Sequence, residues 1–323
     1  MVHAENGGRL LILRALGLGD LLTGVPALRA LADAFPDHHR VLAAPGALTQ
    51  LAALTGAVDE VVDTAPLAPL DGALRGADVA VNLHGRGPQS HRVLLDARPR
   101  RLISFFHPEV PESAGGPPWR AGEHEVSRWC RLLESYGIPA DPDRLDLTPP
   151  SRAAPEAARG ATLIHPGAAS AARRWPADRW AAVARAEAAN GRSVILTGGR
   201  GEVDLARTVA REAGLEDSAV YAGRTGLMEL AALVAAAGRV VCGDTGVAHL
   251  ATALRTPSVV LFGPIPPTEW GPPPDRPWHR ALWAGERGNP HASCPDRSLL
   301  AIRMHDVVEA LAELPEAVPS GDS

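Results

Sequence analysis

Asp20 closes the segment Leu16-Gly17-Leu18-Gly19-Asp20, a glycine turn between an apolar run, Leu10 to Arg14, and a stretch of helical period. An aspartate at a helix start has two readings. It can cap the helix, as Asp commonly does. It can also act as a general base, with the positive end of the helix dipole favouring its ionised form. The segment is not a dinucleotide fingerprint: G-x-G-x-x-G would require glycine where Leu22 stands, and no acidic residue ends the next strand.

Further candidates lie in the second half. His165-Pro166-Gly167-Ala168 follows an apolar run, and Ser170 to Pro176 then leads into a helix. Arg173 and Arg174 bring fixed positive charge to that helix's N-terminal side, where the dipole opposes it; an anionic ligand reconciles them, as does a simple solvated face. Glu202, after the turn Gly198-Gly199-Arg200-Gly201, can accept ribose hydroxyls or merely supply charge to a helix start. Gly243-Asp244-Thr245-Gly246 combines an acid, a hydroxyl and glycines at a helix N-terminus. That is a phosphate cradle built from backbone N–H groups and the Thr245 side chain, or else an ordinary capped turn. His249, on the first turn of the same helix, faces the same mouth or is a satisfied core histidine.

The elements that position these residues follow an alternating pattern. Short β-rich apolar runs alternate with longer helical segments, so the expected fold class is α/β with parallel sheets. In the first half the expected strands are Leu10 to Arg14, Val41 to Ala44, Val58 to Asp63, Val79 to Leu83 and Leu102 to Phe105. A helix from Leu21 to Phe35 carries Leu21, Val25, Leu28, Ala32 and Phe35 as one apolar stripe. Pro- and Gly-rich loop fills His107 to Gly122, a helix spans Glu123 to Tyr136, and Ile138 to Pro155 reads as an interdomain linker. The second half repeats the grammar with strands at Ala161 to His165, Val194 to Thr197, Val220 to Ala222, Arg239 to Cys242 and Ser258 to Phe262. Helices are expected near Ala177 to Ala189, Glu202 to Ala213, Leu227 to Ala237, Val247 to Leu254 and Leu299 to Leu314, with a frayed tail after Pro315. Two Rossmann-like, doubly wound domains facing each other across a cleft are the simplest arrangement. Each motif above follows a predicted strand, which is where open parallel sheets bind ligands.

Composition narrows the function classes. The 323 residues are 46% hydrophobic, enough for two cores, and the net charge of −5 provides no basic field for nucleic acid. All 32 basic residues are arginine, which excludes a lysine Schiff base, a pyridoxal-phosphate anchor and a Walker P-loop and reads first as a GC-rich coding bias. Cys130, Cys242 and Cys294 are odd in number and widely spaced, which suits a reducing compartment without disulfides or a zinc cluster. There is no DxD-type metal site, H-E-x-x-H or G-x-S-x-G elbow. With no signal peptide near Met1 and no apolar run of about 20 residues, a cytoplasmic protein is expected, with at most transient contact with the inner-membrane surface. The tryptophans Trp175, Trp180, Trp270, Trp278 and Trp283 are assigned to core packing first and sugar stacking second.

Taken together, LILRALGLGDLLTGVPALRALADAFP, IHPGAASAARRWPADRW, GRTGLMELAALVAAAGRVVCGDTGVAHLATALRTPSVVLFGP and the Glu-Trp-Gly at 269 to 271 resemble the ADP-heptose heptosyltransferases of glycosyltransferase family nine, whose fold is GT-B. The likeness covers most of the chain and is most specific in D-T-G-x-x-H-L followed by L-F-G-P. It implies an acceptor-binding domain at 1–150 and a nucleotide-sugar-binding domain with a C-terminal helix at 151–323. Asp20 matches the family's catalytic base. Arg173 stands where the family has a phosphate-contacting lysine in K-R-W-P, and Arg174 is its neighbour. Glu202 falls near the ribose-binding acid. Arg224 and Thr225 match a G-K-T stretch beside the adenine, and Asp244, Thr245, Gly246 and His249 match the donor-phosphate turn. The implied activity is inverting, metal-independent transfer of a heptose-like sugar from an ADP-sugar or another nucleotide-sugar to a saccharide or small-molecule hydroxyl, with no cofactor beyond the substrates. Near Cys294 the cysteine-rich segment common in lipopolysaccharide-specific members is reduced to one Cys-Pro. A nucleotide-sugar epimerase or hydrolase, and a non-catalytic sugar-nucleotide binding module, remain as alternatives.

Overall fold

A computed structural model describes residues 8–315; the tail expected after Pro315 lies outside them. The chain divides into two compact units, Met1–Leu145 and Asp146–Ser323. The division falls slightly ahead of the expected 150/151. Asp146 accepts from Arg255 at 3.3 Å and Arg276 at 2.5 Å, and the Leu147 N–H reaches the Ala253 carbonyl at 2.7 Å, so the chain is tied to the second unit from that point.

The first unit holds strands β1 (Arg9–Leu13), β2 (His39–Ala44), β3 (Glu60–Asp63), β4 (Val79–Asn82) and β5 (Arg101–Ile103), in the order β3-β2-β1-β4-β5 and all parallel. Leu10, Leu11, Ile12 and Leu13 have no exposed surface. That is the signature of a central parallel strand covered on both faces, and it explains a continuous apolar run where one-sided burial would give alternation. The second unit holds β6 (Thr162–His165), β7 (Val194–Leu196), β8 (Arg239–Gly243), β9 (Ser258–Leu261) and β10 (His279–Leu282), in the order β10-β9-β8-β6-β7, again all parallel. The fold is thus α/β with two parallel sheets, as expected. Strand order reverses between β1 and β4 in one sheet and between β6 and β8 in the other. Those reversals open crevices at the strands' carboxyl ends.

Four local differences have physical causes. Val220–Ala222 forms no strand and keeps only a bridge from Val220 to Leu196, because Gly223 at φ +72° turns the chain away. The edge strand β10 went unpredicted, since its residues are only partly buried and show no apolar alternation. The helix expected from Leu21 to Phe35 starts earlier and is divided: Leu18–Thr23 ends at Gly24, and Val25–Ala34 restarts with Pro26 in its first turn. The terminal helix is likewise two, Arg297–Ala301 and Met304–Ala312, the second opened by the Arg303 N–H on Asp306 Oδ2 at 2.7 Å.

Candidate active site

In the first unit the candidate centres on Asp20, carried just beyond the carboxyl end of β1 beside the β1–β4 switch. Gly17 is the N-cap of helix Leu18–Thr23, and Asp20 sits at its third position with Oδ2 accepting the Gly17 N–H at 3.1 Å. The capping contact is therefore real, and it engages the Oδ2 atom of the carboxylate. Burial lifts the Asp20 carboxyl above its ordinary range, Arg14 pulls it down, Glu125 pushes it up, and the Gly17 N–H pulls it down again.

Sequence reasoning missed what lies behind it. Arg14 is 1% exposed and spends its guanidinium on four partners: Nε on the Asp20 carbonyl, Nη1 on the Leu83 carbonyl, and Nη2 on Thr23 Oγ1 at 3.1 Å and Glu125 Oε1 at 3.3 Å. Glu125 also accepts from Arg128 and, at 2.8 Å, from Trp129 Nε1. The available signal was a charged residue ending an otherwise wholly apolar strand run, which demands a buried partner. In the loop after β4, the His84 N–H is held by Asn82 Oδ1 at 2.9 Å, while burial and the Arg14 charge depress the basicity of its ring.

The second unit gathers most of the expected donor-binding residues at the carboxyl ends of β6, β7 and β8. Asp244, 6% exposed, follows β8 and meets Arg173, whose Nη1 donates to the Asp244 carbonyl at 3.2 Å and stands 3.8 Å from its carboxylate. Burial pushes the Asp244 carboxyl up to about 6, with Arg173 restraining the rise. Arg173 Nε is buried and has no partner among the described residues. Thr245 is the N-cap of helix Gly246–Ala253 but makes no side-chain cap bond, and its hydroxyl is buried against the Cys242 thiol. The Ala248 N–H closes this first turn on the Thr245 carbonyl at 3.0 Å, and a helix N-terminus of this kind favours an anion. His249 packs edge-on against Trp270 with ring centroids 5.8 Å apart.

Glu202 comes from the turn after β7. Its Oε2 accepts the Gly199 N–H at 2.7 Å and lies 3.8 Å from His165 Nε2. A methyl group at Gly167 would stand 2.0 Å from Glu202 Oε1, so glycine there lets the β6 and β7 loops meet. His165 is fixed by Thr197 Oγ1 at 3.0 Å, and burial lowers its basicity despite Glu202. The Gly223-Arg224-Thr225 segment joins this region through the Gly223 N–H on the Gly198 carbonyl at 2.9 Å; the Arg224 side chain is exposed. Arg174 turns away from Asp244, with Nε on the Ala168 carbonyl at 2.8 Å. Trp175 and Trp180 are core residues, as expected, packed edge-on at 4.9 Å. Among the described residues no cluster of His, Cys, Asp and Glu could hold a metal ion, and no helix is long and apolar enough to cross a membrane.

Comparison with known proteins places this architecture. The chain is 32% identical over 170 residues to lipopolysaccharide heptosyltransferase 3 of Escherichia coli K12, covering 50% of this chain and 48% of that protein. It is 34% identical over 155 residues to lipopolysaccharide heptosyltransferase 1 of Pseudomonas aeruginosa PAO1, covering 45% and 41%. The chain thus spans about half the length of the curated relatives it matches. Among solved structures, a family 9 glycosyltransferase from Veillonella parvula superposes with a TM-score of 0.75 at 18% identity, over 94% of this chain and 96% of that one. The E. coli heptosyltransferase WaaC with ADP-2-deoxy-2-fluoro heptose superposes with a TM-score of 0.69 at 19% identity, over 94% and 99%. These superpositions show the GT-B fold. The model of glycosyltransferase family 9 (heptosyltransferase) matches residues 116–296, more than half of the chain, and the chain belongs to that family.

Proposed function

We propose that the protein is an inverting, metal-independent glycosyltransferase that moves a heptose-like sugar from an ADP-sugar to a hydroxyl of a saccharide. The observation that supports this reading is the Asp20 turn: a half-buried carboxylate held beside the switch point of the first sheet. The acceptor hydroxyl gives its proton to Asp20 as its oxygen attacks the anomeric carbon. The bond from that carbon to the diphosphate oxygen breaks on the opposite face, and ADP leaves. The growing negative charge on ADP meets Arg173 and the N–H groups at Thr245 and Gly246, a fixed electrostatic environment that needs no metal. Glu202 accepts the ribose hydroxyls, and Arg224 and Thr225 flank the base. His249 and Asp244 complete the phosphate turn, with Arg174 at its rim.

The WaaC complex supports the choice of donor, because that fold holds an ADP-heptose analogue. The test is ADP release from ADP-heptose with and without a truncated lipopolysaccharide core saccharide. Transfer predicts release that depends on the saccharide and persists in a chelator. Equal release from donor alone would indicate a hydrolase or epimerase, and binding without release a non-catalytic module.

A further inference from the structure

The buried charges behind Asp20 carry an inference that rests on the reading of Asp20 as base. Arg14 and Glu125 are 1% and 5% exposed. A buried ion pair adds little net stability, because desolvation offsets the attraction and apolar residues of similar volume often serve as well. Stability alone therefore does not account for the pair. Its hydrogen bonds do: of the two backbone carbonyls that Arg14 grips, that of Asp20 lies in the short helix that follows β1 and that of Leu83 just after β4, and β1 and β4 flank the switch point. Glu125, on helix Glu125–Glu134, holds the guanidinium from behind, and the Trp129 ring lies 5.0 Å from it. Space is reserved as well. A Cβ at Gly24 would stand 2.8 Å from Arg14 Nε.

We propose that Arg14, locked by Glu125, is the positioning residue for Asp20, fixing the turn that carries the carboxylate and keeping a permanent positive charge behind it. Arg14 acts through Asp20 and touches no reacting atom. The charged groups facing Asp20 are Arg14 from the end of β1 and Glu125 from helix Glu125–Glu134; on its own turn it meets the Gly17 N–H. His84, in the loop after β4, faces Arg14, and burial together with that charge lowers its basicity. Arg14 and Glu125 act on Asp20 with opposite signs, so their removal must move its titration in opposite directions.

The experiment is a carbon-13 NMR titration of the Asp20 carboxyl in the full-length protein, its resonance assigned by loss in Asp20→Asn. The Asp20 midpoint rises in Arg14→Met, falls in Glu125→Gln, and returns towards wild type in Arg14→Lys. The acid limb of the pH–rate profile for ADP release from ADP-heptose plus core saccharide moves the same way. In Arg14→Met kcat drops by at least about tenfold, with KM for ADP-heptose unchanged. If Arg14→Met does not fold, Glu125→Gln and Arg14→Lys carry the test. Identical midpoints in wild type and the folded variants overturn the proposal. Transfer that survives Asp20→Asn overturns the base reading instead, so the two failures are distinguishable.

Discussion

Asp244 is the residue whose energetics are most exposed to measurement. Burial raises its carboxyl from the ordinary 3.8 to about 6. A carboxyl raised in the folded state contributes stability while protonated, fully below the unfolded value, and loses it as pH climbs through the folded value. Between about pH 4 and 6 the wild type should therefore lose stability relative to Asp244→Asn. The gap should reach on the order of 3 kcal/mol and stay flat above pH 6. Thermal denaturation of both proteins from pH 4 to 8 checks this; a constant difference across the range would mean that Asp244 is ionised at no cost. Asp244 was legible in the sequence because acid, hydroxyl and glycines stand side by side in Gly243-Asp244-Thr245-Gly246. Asp20 was legible for the same reason of local spacing. Arg14 and Glu125 were not, since their meaning lies in a contact across 111 positions that no local pattern encodes.

At the scale of elements, the loops at the carboxyl ends of β6 and β7 meet only because residue 167 lacks a side chain. In Gly167→Ala the new methyl would stand 2.0 Å from Glu202 Oε1, and the flexible carboxylate must swing away. If Glu202 binds ribose, KM for the ADP-sugar should rise about 10- to 100-fold, the worth of a hydrogen bond to a charged group, while stability changes by less than about 1 kcal/mol. If Glu202 only caps its turn, donor KM stays put; steady-state kinetics with a melting curve decides. Strand existence was readable wherever apolar runs were buried on both faces, as in β1 and β6. It failed at β10, which is partly exposed, and at Val220–Ala222, where Gly223 intervenes. Helix breaks at Gly24 and Arg303 were hidden because apolar period runs straight through them, and the break is set by tertiary contacts such as Arg14 against Gly24.

At the scale of the whole molecule, alternation of strand and helix was enough to read two parallel α/β sheets, because each βα unit announces itself within about 30 residues. Sheet order was not readable, since it depends on which strands pair across the chain. The two orders differ, and each puts its own switch point beside residues of matching chemistry: a carboxylate in one unit, and an arginine with a helix N-terminus in the other. The proposed transfer requires both chemistries on one donor and one acceptor. Proton NMR of the reaction between ADP-heptose and a core saccharide, run in parallel with wild type and Asp20→Asn, tests that requirement most directly. The proposed transfer yields a product of opposite anomeric configuration to the donor, formed about 10²- to 10⁴-fold more slowly by the variant, with donor affinity unchanged. A product retaining the donor's configuration, or an Asp20→Asn enzyme turning over at the wild-type rate, would contradict it.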